Sequence, residues 1–114
     1  MIKNSVVLVP FPFDDNSIAK LRPALCLTSE TGEYTTMSLL PLFQVRSLDK
    51  PIESDVVIKK NSPVWHGTGL TADSVLRLHK LVTVPKSLFV RKLGRINPQA
   101  EKTVYQKLVE MFQR

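Results

Sequence analysis

The chain has a single cysteine, Cys26, set inside the apolar run "PALCLT" (Pro23–Thr28). No intrachain disulfide can form, so the thiol is read as a small buried hydrophobe, which fits a reducing cytoplasm. No hydrophobic run approaches the roughly 20 residues a membrane-spanning helix needs. The opening "MIKNSVVLVPFPF" carries one lysine, is broken by prolines and lacks a small-residue cleavage site, so it reads poorly as a signal peptide. The expectation is a cytoplasmic protein with no membrane partner. Only four glycines, no low-complexity tract and no internal repeat exclude collagen-like, solenoid and disordered classes. No GxGxxG, P-loop, HExxH or paired Cys/His spacing occurs, so neither a nucleotide cofactor nor a metal is expected.

What is present is an ordinary globular composition, 43% hydrophobic and 23% charged over 114 residues, the common size for one domain spanning 1–114. Sixteen Lys and Arg against ten Asp and Glu leave a net charge of +6, and the pI is near 9.7. That balance favours a polyanion or an acidic protein as partner.

Along the chain, "VVLVP" (Val6–Pro10) reads as a strand covered on both faces and ended by Pro10 and Pro12. "FDDNSIAKLR" shows neither period and is expected to be an exposed loop. "PALCLT" is a second strand, Gly32 supplies a hairpin turn, and Tyr34–Leu42 returns as a third strand. A polar loop, Arg46–Asp55, precedes a short strand, Val56–Lys60, and "NSPVWHGTG" makes a turn. Leu76, Leu78, Val82 and Val84 alternate with Arg77, His79 and Thr83, which predicts a long strand over Ser74–Val84 with one wet face. "FVRKLGRI" (Phe89–Ile96) is a last short strand. Asn97 as N-cap and Pro98 at the first helical position start a terminal helix whose apolar stripe is Ala100, Val104, Leu108, Met111 and Phe112. Short antiparallel strands closed by a C-terminal helix imply a mainly β domain, a curled sheet or partly closed barrel.

Arg22 is wedged between that first loop and Pro23, and on the residues alone a surface ion pair with Asp14 or Asp15 accounts for it best. His66 and His79 could share acid and base work in phosphodiester cleavage, or be ordinary surface residues. Trp65 could stack on a base or anchor a turn. Lys20, Arg22, Arg46, Lys59 and Lys60 flank the two polar loops, while Arg91, Lys92 and Arg95 form a second basic cluster; a solvated face explains either.

The opening stretch of strand, "PFPF", polar loop and "RPAL" resembles the MazF/PemK family of toxins from bacterial toxin-antitoxin pairs. "GLTADSVLRLHKLVTV" resembles the family's later Gly-Leu, Ser-Val and Lys-Leu pattern, and "LGRINPQ" the segment leading into its terminal helix, so nearly the whole chain is covered in order. The resemblance implies an SH3-like barrel, a homodimer and metal-independent cleavage of single-stranded RNA, held in check by an antitoxin with an acidic segment. It also places Arg22 at the catalytic centre and Lys20, Gln44, Arg46 and Lys60 along the RNA groove.

The chain departs from the family where the chemistry lies. The third strand of family members usually ends in an apolar, Ile, Thr, Ser series, whose threonine hydroxyl sits beside the arginine. Aligning the apolar positions of "LLPLFQ" puts Phe43 at the threonine and Gln44 at the serine. A phenyl ring donates no hydrogen bond, and borrowing Thr36 or Ser38 needs a register change that turns side chains to the other face. Asn4 and Ser5 replace the usual Gly-acid pair. Two other readings follow: a related protein that binds RNA or an antitoxin without cutting, and a gyrase-binding toxin on a related barrel. The second fits poorly, since such toxins end in an aromatic-glycine tail and this chain ends "EMFQR".

Overall fold

A computed structural model describes residues 2–11, 20–30, 32–39, 52 and 55–113. Six strands, β1 (Ser5–Phe11), β2 (Lys20–Cys26), β3 (Tyr34–Leu39), β4 (Asp55–Ile58), β5 (Ser74–Pro85) and β6 (Arg91–Arg95), precede one helix, α1 (Pro98–Gln113). All described pairings are antiparallel, in the order β4-β5-β3-β2-β1-β6. The sheet is therefore mainly β as expected, but its ladder is open. Among the described residues, the turn that follows β4 reaches the end strand β6 through a backbone hydrogen bond outside the ladder, from the Arg95 N–H to the Gly67 carbonyl, 2.8 Å.

Pro10 does not end the first strand, nor does the second begin at Pro23; Pro12 lies outside the described residues. β1 continues through Pro10, which pairs with Leu21, and β2 starts three residues before Pro23, which pairs with Leu8. The Leu8 carbonyl accepts the Val90 N–H on the β6 side, and the Cys26 carbonyl accepts the Asn4 N–H on the β1 side. This alternation puts Pro10 and Pro23 at positions whose missing N–H is not needed between β1 and β2. Arg22 consequently lies inside a strand, opposite Val9, and not at a strand end.

Two apolar clusters occupy the two faces. On the helix side, Val6, Leu25, Val56, Ile58, Leu76 and Leu78 meet Ala100, Val104 and Leu108 of α1. On the other side lie Val7, Val9, Ala24 and Cys26, with Val82, Val84 and Phe89 against them. The four apolar residues of β5 were expected on one face. Instead Leu76 and Leu78 point to the helix and Val82 and Val84 away from it, because the β3–β5 register jumps from Ser38↔Leu81 to Leu39↔Arg77. A bulge shifts the side-chain alternation by one.

The helix begins as anticipated. The Asn97 side-chain oxygen accepts the Ala100 N–H at 2.9 Å, and its amide nitrogen donates to the carbonyls of Pro63 (2.7 Å) and His66 (3.3 Å). Ala100, Val104 and Leu108 are buried, whereas Phe112 is 71% exposed. At about 100° per residue, position 112 lies roughly 120° round the axis from Ala100 and Met111 only about 20°. The stripe thus ends on Met111.

Gly94 and Gly69 let two backbones touch. A Cβ at Gly94 would overlap the Gly67 carbonyl oxygen and lie 2.6 Å from the Thr68 carbonyl carbon; one at Gly69 would overlap the Leu93 carbonyl oxygen. Gly32 has φ +63° but open space around it. Gly94→Ala should therefore lower stability by about 1–3 kcal/mol or more through overpacking, and Gly32→Ala by only about 1 kcal/mol through backbone strain. Urea midpoints of the two variants check this, and equal losses would refute the packing argument.

Candidate active site

Strand β2 presents alternate residues to opposite faces. Arg22 shares the face of Ala24 and Cys26, the side away from α1, and is half-buried opposite Val9. Its aliphatic stem can lie along that apolar floor while the guanidinium stays at the rim. Lys20 is the first residue of the same strand, opposite Phe11. Phe43, Gln44 and Arg46, like Asp14 and Asp15, fall outside the described residues.

Lys60 is exposed in the turn after β4, where its N–H donates to the Asp73 carboxylate at 2.7 Å. It borders a cleft of about 370 Å³ with Trp65, Gly67, Gly69, Leu70 and Thr71. Trp65 packs on the helix-side core, edge-on to His66 with ring centroids 5.4 Å apart, which is the turn-anchoring role. His66 is exposed, next to Gly67, whose carbonyl holds Arg95 opposite Ser5. Arg22 pairs with Val9, four residues along β1, or roughly 13 Å. The structure therefore brings neither His66 nor Lys60 to Arg22.

Arg91 and Lys92 are exposed on β6 and line a second cleft, of about 430 Å³, floored by Ile2, Val7 and Phe89. Lys86 and Glu30 are 3.6 Å apart near it. Among the described residues no group of three His, Cys, Asp or Glu side chains could hold a metal, and no helix is long and apolar enough to cross a membrane.

One cluster escaped the reading of the sequence. Asp55, assigned there to a polar loop, opens β4 and is 3% exposed. Its Oδ2 accepts the Ile52 N–H at 3.0 Å and lies 3.7 Å from Nη1 of Arg77, directly opposite on β5. The Lys107 ammonium donates to its backbone carbonyl at 2.8 Å, while Oδ1 is buried with no partner among the described residues. The cross-strand cation is what allows a carboxylate there. Its only signal in the sequence was Arg77 on the wet face of β5.

By fold, the chain groups with small bacterial toxins. It superposes on an endoribonuclease in complex with its cognate antitoxin from a mycobacterial species with a TM-score of 0.72, 12% identity and 99% and 95% of the two chains covered. An endoribonuclease from a mycobacterial species gives 0.68, 13%, 99% and 91%. The Mycobacterium tuberculosis toxin MazF-mt6 gives 0.70, 17% and 96% of each chain. No curated protein matches the sequence. The family is set by residues 3–112, which match the model of the PemK-like, MazF-like toxins of type II toxin-antitoxin systems, and the chain belongs to that family.

Burial pushes the Cys26 thiol up to about 11, which makes it a poor nucleophile. The unfolded chain ionises this thiol first, at its ordinary value, so the contribution to stability is complete below that value and is lost as pH rises through about 11. Burial, and then Glu101, also raise Tyr105, which donates to the Leu27 carbonyl at 2.7 Å. Unfolding free energy should thus fall between pH 9 and 11, and Cys26→Ala should flatten the slope. Urea titrations at stepped pH measure it.

Proposed function

We propose that this chain is an endoribonuclease toxin that cuts single-stranded RNA without a metal ion and is neutralised by an antitoxin. Family membership supports this, as does a fold shared with mycobacterial endoribonucleases, one of them in complex with its cognate antitoxin. The observation that carries it is Arg22. A guanidinium held by a strand and half sunk against apolar residues is preorganised for the charge that builds on phosphorus when a neighbouring 2'-hydroxyl attacks. Pro23 keeps the backbone extended beside it. Lys20, Gln44, Arg46 and Lys60 serve the RNA strand as phosphate or base contacts, so binding weakens with salt.

The working unit is one domain, an SH3-like barrel in the cytoplasm, paired as a homodimer. The apolar face turned away from α1, with Val82, Val84 and Phe89 only partly buried, supports a second copy covering it. The reading of a protein that binds without cutting rests on Phe43 in place of the family's threonine.

Purified protein incubated with a long single-stranded RNA in EDTA tests the proposal. Wild type should yield discrete fragments, and Arg22→Ala should lose about 10²–10³ in rate, the usual loss for one transition-state donor. Phe43→Thr should raise the rate by restoring a hydroxyl. Intact RNA in every arm favours the binding reading, and an active Arg22→Ala refutes the site.

A further inference from the structure

The turn between β4 and β5 engages its carbonyls and leaves donors over. The carbonyls of Lys59, Ser62, Trp65 and Gly67 accept the N–H groups of Ser62, Trp65, Thr68 and Arg95, and those of Pro63 and His66 accept the Asn97 amide. The Asp73 carboxylate is engaged by the Lys60 N–H at 2.7 Å. Among the described residues the backbone N–H groups of Gly67 and Gly69 meet no acceptor, the Lys60 ammonium meets no carboxylate, and the buried Trp65 Nε1 has no partner. All four residues line the cleft of about 370 Å³, which Leu70 and Thr71 complete. Gly67 and Gly69 have φ of +88° and +74°, a backbone path of the kind that gathers N–H groups around an anion. A buried N–H without an acceptor costs free energy, and an incoming oxygen removes that cost.

Donors beside an apolar wall fit a nucleotide, with its phosphate on Lys60 and the glycine N–H groups and its base against Trp65 and Leu70. An acidic peptide fits less well, because this cleft holds one cation, whereas Arg91 and Lys92 stand together and exposed on β6. We propose that the cleft is a second RNA subsite, which takes one nucleotide of the single strand away from the cut. The inference rests on the RNA reading above, which gave Lys60 a contact to the strand, and it adds Trp65 and the glycine N–H groups to that contact. Trp65 packs on the helix-side core, while Arg22 is on the other face and at least roughly 13 Å away along β1. One nucleotide cannot touch both. The subsite anchors the strand and takes no part in breaking the bond.

The chain has a single tryptophan, so the emission of Trp65 reports on this cleft alone. The test titrates the full-length protein with an RNA oligonucleotide that carries 2'-O-methyl groups throughout, which blocks cleavage, and follows binding in parallel by the anisotropy of a dye on the RNA. Saturating RNA should shift the Trp65 emission, in wild type and in Arg22→Ala alike. Lys60→Ala should diminish the shift and lower the slope of log affinity against log salt by about 0.7, the share of one phosphate contact on a single strand. Lys102→Ala, which removes an exposed charge from α1, should leave both in place. On cleavable RNA, Lys60→Ala should raise KM and leave kcat unchanged, and both lysine variants should melt with wild type. RNA that binds without moving the Trp65 emission overturns the subsite, as does an equal loss of slope in Lys102→Ala. A glutamate-rich peptide that moves the emission at lower concentration than RNA overturns the nucleotide as occupant, and UMP binding as tightly as the RNA makes this a site for free nucleotide and overturns it as a subsite for the strand. RNA that binds as expected and is never cut overturns the endoribonuclease reading alone. RNA that does not bind the protein overturns both.

Discussion

Everything in this fold depends on how closely two backbones approach at Gly67–Gly69 and Leu93–Arg95. Six strands in an open ladder have two raw edges, and a curled sheet needs its ends held. Here the turn that follows β4 runs to β6 and lies against it with no side chain between, fixed by the Arg95 N–H on the Gly67 carbonyl. From that junction the helix-side core fills inward, and α1 is launched two residues later from an asparagine that grips the same turn. The junction is at one end of β1; Arg22 is at the other.

That separation sorts the basic residues by what surrounds them. Arg77 is countered by a buried carboxylate across the strand, and Lys107 is tied to the backbone at the same point. Arg22 is half-buried on the face of Ala24 and Cys26, opposite Val9. A bulge opposite Leu39 turns β5 so that its first half faces the helix core and its second half the other side. One strand thereby serves two cores and presents a polar segment where they part.

Much of this architecture was readable from residue order. Asn97 followed by Pro98 declared the helix start, Gly32 the hairpin, and alternation within Ser74–Val84 the long strand, because each is a local signal. Phe112 was a slip of phase within the helix; the other misreadings concern partners distant in sequence. Pro10 looks like a strand breaker and Pro23 like the first residue of a strand until the register shows their nitrogens facing away from the ladder they share. Asp55 looks like a loop residue until Arg77 is placed opposite it. The even-numbered apolar run of β5 looks like one face because no feature of its composition announces a bulge that β3 imposes. Arg22 was legible as a candidate, but the face it shares with Arg77 depends on pairing across three strands. The family itself was readable from "RPAL", the later Gly-Leu and Ser-Val pattern and "LGRINPQ", and residues 3–112 match it.

The Asn97 amide has a chemical lifetime as well as a geometry. Asparagine ages by attack of the following backbone nitrogen on its side-chain carbonyl, a ring closure that needs an N–H on the next residue. Pro98 has none, so the side chain that joins the turn at Pro63 and His66 to the first turn of α1 is shielded from that route. Asn4 and Asn61, each followed by serine and each held at positive φ, lack the shield, and Asn4, whose Oδ1 accepts the Tyr105 hydroxyl of α1 at 3.2 Å, is a helix–sheet contact that this route can reach.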